Sequence, residues 1–246
     1  MKLQTVELAF SFEGRRVLEH LNLEAEEGEF VSILGPSGCG KSTLLNILAG
    51  ILPVEQGEIL VDGERISSLS SHFAYMPQQD LLLPWKTIMD NVCLFGRIHG
   101  TEKADRLRAA ESFPVFGLAG YENSYPRELS GGMRQRAAFL RTALCDADIM
   151  LLDEPFGALD VITRGEMQDW LLGIREQLGR TTVLVTHDIE EAIYLSDRIL
   201  ILSGSPASFQ KGVRVEERHR DREWLFDQRP LYREIYYHLK GETHAD

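Results

Sequence analysis

Hydrophobic and polar positions alternate at the start of the chain, in "LQTVELAFSF" from Leu3, and this two-residue period is typical of β-strands. Two further strand-like runs follow, "LNLEAEEG" and "FVSILG". The latter is almost continuously apolar and ends in glycine, as expected of a strand buried in the centre of a sheet. From Ser42, "STLLNILAG" predicts a helix that Gly50 ends, and "GEILVDGE" and "FAYMPQ" predict more short strands.

The strand period disappears between about Lys86 and Ala119, where the pattern predicts helices interrupted at Pro114. Another helix is predicted after Ser130. Strands and helices then alternate through "DIMLLD", "TRGEMQDWLLGIREQLG", "TTVLVT", "DIEEAIYLS" and "RILILSG". This alternation predicts a mostly parallel sheet wrapped by helices. The charged tail from about Pro206 has spaced aromatic residues and leucines, which predict a short amphipathic helical appendage.

Composition limits the possible functions. The chain has 246 residues, enough for one large domain, and its net charge of −12 gives no general attraction to nucleic acid or anionic lipid. Three scattered cysteines without a CxxC pair argue against a disulfide framework or a zinc site. No signal peptide and no run of about 18 apolar residues is found. We therefore expect a cytoplasmic protein whose membrane role, if any, depends on partners.

A complete phosphate-binding loop lies between a predicted strand and a predicted helix. "GPSGCGKST" matches GxxxxGK[ST], in which backbone N–H groups surround the phosphates and the helix dipole adds to the attraction. Lys41 is expected to reach the β- and γ-phosphates, and the Ser42 hydroxyl to ligate Mg²⁺. The predicted nucleotide-contacting residues here are Gly35, Pro36, Ser37, Gly38, Cys39, Gly40, Lys41, Ser42 and Thr43.

Cys39 allows two interpretations. Its position beside Lys41 and a helix N-terminus favours the reactive thiolate, and an inert small residue is the equally weighted alternative.

Two adjacent carboxylates follow the apolar strand in "DIMLLDEP". A carboxylate at the carboxyl end of a parallel strand lies where such sheets bind ligands. Asp153 suits the shell of a magnesium ion, and Glu154 is placed to orient the attacking water or accept its proton.

A second anion site is predicted at "LSGGMRQR". Ser130, Gly131 and Gly132 offer a hydroxyl and bare backbone N–H groups immediately before a helix, which is the chemistry of an anion site at a helix N-terminus.

Taken in order, these motifs resemble the ATP-binding cassette (ABC) ATPases over nearly all of residues 1–204. Gln78 in "YMPQQD", "LLDEPFGALD" and His187 in "VTHD" complete the set. The resemblance implies an α/β P-loop NTPase fold with a mostly parallel core sheet and an N-terminal antiparallel β subdomain. It also implies an inserted α-helical subdomain at about 80–146, within one domain over 1–246 that ends in a short tail from about 206. ATP and Mg²⁺ are the implied cofactors.

The same resemblance implies roles for single residues. Phe12 would stack on the adenine, although a half-buried strand aromatic is its alternative. Gln78 would touch Mg²⁺ and the water, and His187 would hydrogen-bond the γ-phosphate. Asp160 would contact the opposite subunit of a dimer. Ser130 and Gly132 would complete the site of a second copy, so that the second anion site holds the neighbour's γ-phosphate.

A closer resemblance is carried by "DLLLPWKTIMDNV", "YPRELSGGM" and "DEPFGALD", which are similar to cassettes of bacterial importers for nitrate, sulfonates, taurine and thiamine-pyrimidine precursors. It implies an ATPase for import of a small anionic or organic solute, peripheral on the cytoplasmic membrane face. The implied partners are a second copy in an ATP-dependent head-to-tail dimer, permease subunits and, indirectly, an extracytoplasmic substrate-binding protein, but no nucleic acid. A soluble iron–sulfur assembly ATPase and a nucleic-acid-associated ATPase are the alternatives.

Overall fold

The computed structural model describes residues 1–240. The strands in this range are β1 (Leu3–Phe12), β2 (Arg15–Leu21), β3 (Glu24–Ala25), β4 (Phe30–Leu34), β5 (Gln56–Val61), β6 (Glu64–Ile66), β7 (Phe73–Met76), β8 (Ile149–Asp153), β9 (Thr181–Thr186), β10 (Arg198–Gly204) and β11 (Ala207–Arg214). The helices are α1 (Lys41–Leu48), α2 (Ile88–Val92), α3 (Leu94–His99), α4 (Glu102–Val115), α5 (Gly131–Ala143), α6 (Val161–Leu178), α7 (Ile189–Leu195), α8 (Arg222–Asp227) and α9 (Arg229–Lys240).

The strands form one sheet in the order β6-β5-β1-β2-β11-β10-β4-β9-β8-β7, with β3 paired to β1. From β10 to β7 every neighbouring pair is parallel. All five residues of β4 are buried, as are all of β8 and β9, because helices cover both faces of this half. The predicted parallel core is confirmed.

The other half of the sheet is antiparallel. Strand β1 pairs antiparallel with β2, β3 and β5, and β5 pairs antiparallel with β6. This half is the predicted N-terminal β subdomain, and helices α2 to α5 are the helical region inserted between β7 and β8. Within residues 1–240 no helix has the length and apolar character to cross a membrane.

The tail differs from the helical appendage that its sequence predicts. Ala207–Arg214 is strand β11, which pairs antiparallel with β10 and joins β2 in parallel through Ala207 and Leu18. It thereby closes the sheet between the parallel and antiparallel halves. The helical part begins only at Arg222. The pattern misleads because the pairing partners of β11 lie far away in the chain, and hydrophobic spacing within the tail does not reveal them.

The tail is attached to α6 and α7 by two arginines. The fully buried guanidinium of Arg220 donates to the main-chain oxygens of Tyr194, Val215 and Glu217. Arg222 donates to the Gly165 oxygen at 2.6 Å and lies over the Tyr194 ring at 4.4 Å. Both arginines therefore join α8 to the helices that pack on the core sheet.

Glu191 is a buried carboxyl on α7. Its Oε2 accepts from Gln168 Nε2 at 3.2 Å. Burial, assisted by repulsion from Asp188, raises the pKa of Glu191 from its ordinary value of 4.5 to about 8. The folded protein therefore keeps this carboxyl protonated near neutral pH.

This shift predicts a pH-dependent stability. Between about pH 4.5 and pH 8 the unfolded chain ionises Glu191 whereas the folded chain does not, so folding becomes less favourable as the pH rises. Glu191→Gln keeps the shape and removes the titration. Its stability relative to the parent should therefore increase from about pH 5 to about pH 8, measured by denaturant unfolding. A constant difference across this range would contradict the assignment.

Candidate nucleotide-binding site

A cavity of about 700 Å³ lies against the phosphate-binding loop and the start of α1. Ten sequence-predicted site residues line it: Phe12, Ser37, Gly38, Cys39, Gly40, Lys41, Ser42, Thr43, Gln78 and Glu154. The structure thus brings together residues that are up to 142 positions apart in the chain, Phe12 and Glu154 being the extremes.

Parallel register aligns the strand ends at this site. Leu34 of β4 pairs with Thr186 of β9, Asp153 of β8 with Val185, and Met76 of β7 with Leu152. The four strands therefore end within two residues of the same level. The site residues that follow these ends are Gly35, His187, Glu154 and Gln78.

The loop between β4 and α1 holds Lys41 in a fixed position. Its Nζ donates to the main-chain oxygens of Gly35 and Pro36, both at 2.9 Å, and the side chain is almost fully buried. Gly40 adopts a φ of 108°, and a Cβ there would lie 2.7 Å from the Leu18 side chain. Glycine is therefore required by both conformation and space.

Ser42 and Asp153 form the candidate magnesium site. Ser42 Oγ donates to Asp153 Oδ1 at 2.9 Å, and the Tyr75 hydroxyl donates to Oδ2 at 3.2 Å. Burial raises the pKa of Asp153, so a dication beside it would offset the cost of its charge. Mg²⁺ is commonly bound by one or two protein oxygens together with substrate phosphates. These residues fit that requirement.

Glu154 is placed between an ammonium and an imidazole. Its Oε2 lies 3.0 Å from His187 Nδ1, and its Oε1 lies 3.7 Å from Lys41 Nζ. The backbone at Glu154 is left-handed, with a φ of 43°. A non-glycine residue in this region is strained, and such strain clusters at functional sites. The conformation aims the carboxylate at the cavity, where it can accept a proton from water.

The family model for ABC transporters matches residues 18–157. The chain belongs to the ABC transporter family. It is 47% identical over 198 residues to the aliphatic sulfonates import ATP-binding protein SsuB of Bacillus cereus, covering 80% of this chain and 78% of the relative. It is 42% identical over 205 residues to the taurine import ATP-binding protein TauB of Escherichia coli, covering 83% and 80%.

Solved structures agree with this membership. A dimeric ATP-binding cassette in a post-hydrolysis state with ADP and phosphate is 30% identical, with a TM-score of 0.73 over 87% of this chain and 99% of that chain. The cassette cbiO1 of Clostridium perfringens is 24% identical and has a TM-score of 0.79 over 97% and 96%, which supports the fold. This ABC cassette therefore binds ATP and is an ATPase.

Two further predicted residues of the ABC site are exposed on the cavity. Phe12 is 47% exposed and meets Phe10 edge to face, with ring centroids 4.9 Å apart. Its free face is available for a base. Gln78 is exposed, and its Nε2 faces Gly157, where a Cβ would lie 3.5 Å away. Gln78 thus lies next to the loop that follows Glu154.

Five cavity residues were not predicted from the sequence: Arg15, Arg16, Val17, Gly204 and Ser205. The first three follow Phe12 across a tight turn, and the Glu13-Gly14 dipeptide in an alternating pattern is the signal that could have placed them there. Gly204 and Ser205 reach the cavity only because β11 pairs with β2, which no local pattern indicates. Tyr75, the donor to Asp153, was likewise not predicted.

The surroundings of Cys39 favour one of its two interpretations. Burial raises the pKa of this thiol, and the nearby Lys41 ammonium only partly opposes the effect. A raised pKa favours the neutral thiol, and thus the inert small residue of the second interpretation.

The second anion motif lies outside the cavity lining. Ser130 is exposed and caps α5, accepting from Met133 N at 3.3 Å, while Asp160 caps α6 through Ile162 N and Thr163 N, both at 3.1 Å. A hydrogen bond from the Thr163 side chain, together with these backbone bonds, lowers the pKa of Asp160. Gly132 is buried, and a Cβ there would lie 2.7 Å from Thr163. The two capped helix starts are therefore packed side by side, with both caps facing solvent.

The geometry of Glu154 generates a catalytic prediction. Glu154→Gln preserves the shape but removes the proton acceptor, so ATP hydrolysis should fall by about 10²–10⁴-fold while ATP binding persists. Steady-state phosphate release and nucleotide titration measure the two effects. Lys41→Ala is the contrasting variant, because it should weaken nucleotide binding itself. Hydrolysis by Glu154→Gln at nearly the parental rate would refute the role given to Glu154.

Proposed function

We propose that this ABC ATPase energises import of a small organic anion through separate permease subunits. The carrying observation is that Lys41, Ser42 and Glu154 line one cavity, with Asp153 hydrogen-bonded to Ser42, in a chain 42–47% identical to sulfonate and taurine import proteins. We place the protein on the cytoplasmic face of the membrane, with an extracytoplasmic substrate-binding protein as an indirect partner. The relatives give no support to the assembly-factor or nucleic-acid alternatives.

Each residue has a definite task in this proposal. The loop N–H groups and Lys41 hold the β- and γ-phosphates. Ser42, Asp153 and Gln78 would hold Mg²⁺, which supplies charge neutralisation between the phosphates. Glu154 orients the attacking water and accepts its proton, and His187 holds the Glu154 carboxylate in position while reaching the γ-phosphate. Glu154 Oε1 lies 3.7 Å from Lys41 Nζ, so the proton acceptor is next to the ammonium that holds the γ-phosphate.

The second anion motif suggests a shared site. Ser130 and Asp160 are exposed and lie off the cavity of their own chain, so a nucleotide bound there does not use them. Facing another copy, the N-terminus of α5 can meet that copy's γ-phosphate. We propose that two ATP molecules are held between two cassettes, each by Lys41 of one chain and by Ser130 and Gly132 of the other.

This arrangement predicts an ATP-dependent dimer. Glu154→Gln retains ATP and should therefore accumulate a dimer that light scattering detects, whereas the parent loosens after hydrolysis. Adding Ser130→Arg places bulk and positive charge at the contact, so it should abolish the dimer while nucleotide binding at the loop remains. A Ser130→Arg protein that hydrolyses ATP normally as a monomer would overturn the shared site.

A mixture of two defective chains gives the matched control. In a dimer of two Ser130→Arg chains both sites are defective, and the same holds for a dimer of two Lys41→Ala chains. In a mixed dimer one composite site carries both defects and the other carries neither, so some activity should return. Absence of any recovery at all mixing ratios would contradict composite sites.

The segment after Gln78 presents apolar side chains to solvent. Leu81 is 56% exposed and Trp85 is 71% exposed, whereas Leu82 between them is 7% exposed and belongs to the core. Leu81 adopts a φ of 44°. The segment thus combines one anchor with two outward apolar residues, and a partner that covers them would remove this apolar surface from water.

Helices α2 and α5 hold this segment rigidly. Arg141 donates to the main-chain oxygens of Asp80 and Leu81 at 2.6 and 2.8 Å. The buried Asn91 accepts from Leu83 N at 2.6 Å and donates to the Leu83 oxygen at 3.1 Å. We propose that Leu81 and Trp85 dock a cytoplasmic helix of the permease. Arg134, one turn into α5, also contacts Asp80 at 3.2 Å and thereby links Ser130 to this surface.

Trp85→Ala tests the docking surface. The variant should lose permease-coupled transport, while its own unfolding free energy changes by no more than about 0.5 kcal/mol, since the side chain is exposed. Leu107→Ala, equally exposed at 71% on α4, is the control and should transport normally. Leu82→Ala should instead destabilise the fold by about 2–5 kcal/mol. Normal assembly and transport by Trp85→Ala would place the docking site elsewhere.

A further inference from the structure

Arg15 lines the nucleotide cavity but is not among the residues that hold the β- and γ-phosphates, Mg²⁺ or the attacking water. It is the first residue of β2, and Phe12 is the last residue of β1. The two residues are directly paired across the hairpin. Side chains of a directly opposed pair project from the same face of the sheet, about 5 Å apart at Cβ. Arg15 and the aromatic ring therefore face the same cavity.

The hairpin that carries the pair is tight. Glu13 and Gly14 form its two-residue turn, with φ values of 48° and 80°. Positive φ at both central residues is typical of a type I′ turn, whose twist matches that of the flanking strands. The turn therefore holds the ends of β1 and β2 in register. Phe12 is also fixed edge to face on Phe10. The guanidinium is thus attached to a rigid strand end and is not carried on a long loop.

The charge of Arg15 is uncompensated. Among residues 1–240 it makes no hydrogen bond or ion pair, whereas its neighbour Arg16 donates to Gln56 Oε1 at 3.1 Å. The other charged groups on the cavity lining are Arg16, Lys41 and Glu154. Lys41 is bound to the loop oxygens of Gly35 and Pro36. Of the two guanidinium groups at the Phe12 end of the cavity, Arg15 is therefore the one with no partner among residues 1–240, and it can turn to an anion without breaking a hydrogen bond.

We propose that Arg15 binds the α-phosphate of the nucleotide. This rests on the proposed stacking of the base on Phe12, because the α-phosphate is then the anion nearest to the hairpin. ATP and ADP both carry this phosphate, so Arg15 strengthens binding of substrate and product alike. Such uniform binding lowers KM and leaves the hydrolytic step to Lys41 and Glu154.

Arg15→Gln tests the assignment, since it keeps a hydrogen-bonding side chain but removes the charge. Dissociation constants for ATP, ADP and GTP, measured by calorimetric titration, should all rise by the same factor, roughly 3- to 10-fold, as for a partly exposed ion pair. The loss should shrink at high salt, and Arg15→Lys should recover part of it. Arg16→Gln, whose parent side chain is bound to Gln56, is the matched control and should lose less affinity.

Three outcomes would overturn the proposal. Affinities could be unchanged in Arg15→Gln, or the ratio of ATP to GTP affinity could change, which would assign Arg15 to the base. A loss for ATP and GTP with ADP unaffected would assign it to the γ-phosphate. Thermal unfolding of the variant establishes that the hairpin is intact. A parent protein that does not bind ATP would instead refute the nucleotide site itself, so the two failures are distinguishable.

Discussion

Parallel register between four strands is the constraint on which the site depends. Strands β7, β8, β9 and β4 run in the same direction, and their pairing brings Met76, Asp153, Thr186 and Leu34 to one edge of the sheet. A shift of two residues in any strand would move its terminal side chain by about 6–7 Å along the sheet. Hydrogen bonds to Asp153 and Glu154 require a tolerance below 1 Å. Because β4, β8 and β9 are completely buried, such a shift would also disturb close packing on both faces of the sheet.

Three residues at this edge of the sheet are in energetically unfavourable situations. Asp153 is a buried carboxyl, Lys41 is a nearly buried ammonium, and Glu154 occupies a strained backbone conformation. Hydrogen bonds and an ion pair within the protein offset these costs. Lys41 donates to the Gly35 oxygen and lies near Glu154, and Ser42 donates to Asp153. Because the polar groups are already oriented, a triphosphate meets a preorganised site and little reorganisation is needed during hydrolysis.

The sheet also connects the base end of the cavity to the phosphate end. Strand β11 lies between β10 of the parallel half and β2 of the antiparallel half. It thereby fixes the hairpin that carries Phe12 and Arg15 relative to the loop that carries Lys41. The tail, through Arg220 and Arg222, belongs to the same rigid unit and packs on α6 and α7. Helices α6 and α7, which follow Asp160 and His187, thus pack against the core sheet and are also bonded to the tail.

The parallel core, the phosphate loop and the paired carboxylates are predictable from the sequence alone, because each depends on residues close together in the chain. Hydrophobic period, glycine positions and capping residues are local signals. Three other features depend on the folded chain: Ala207–Arg214 is a strand, Tyr75 donates to Asp153, and burial raises the pKa of the Cys39 thiol. Pairing partners, hydrogen bonds across strands and burial join distant parts of the chain, so no local pattern contains them.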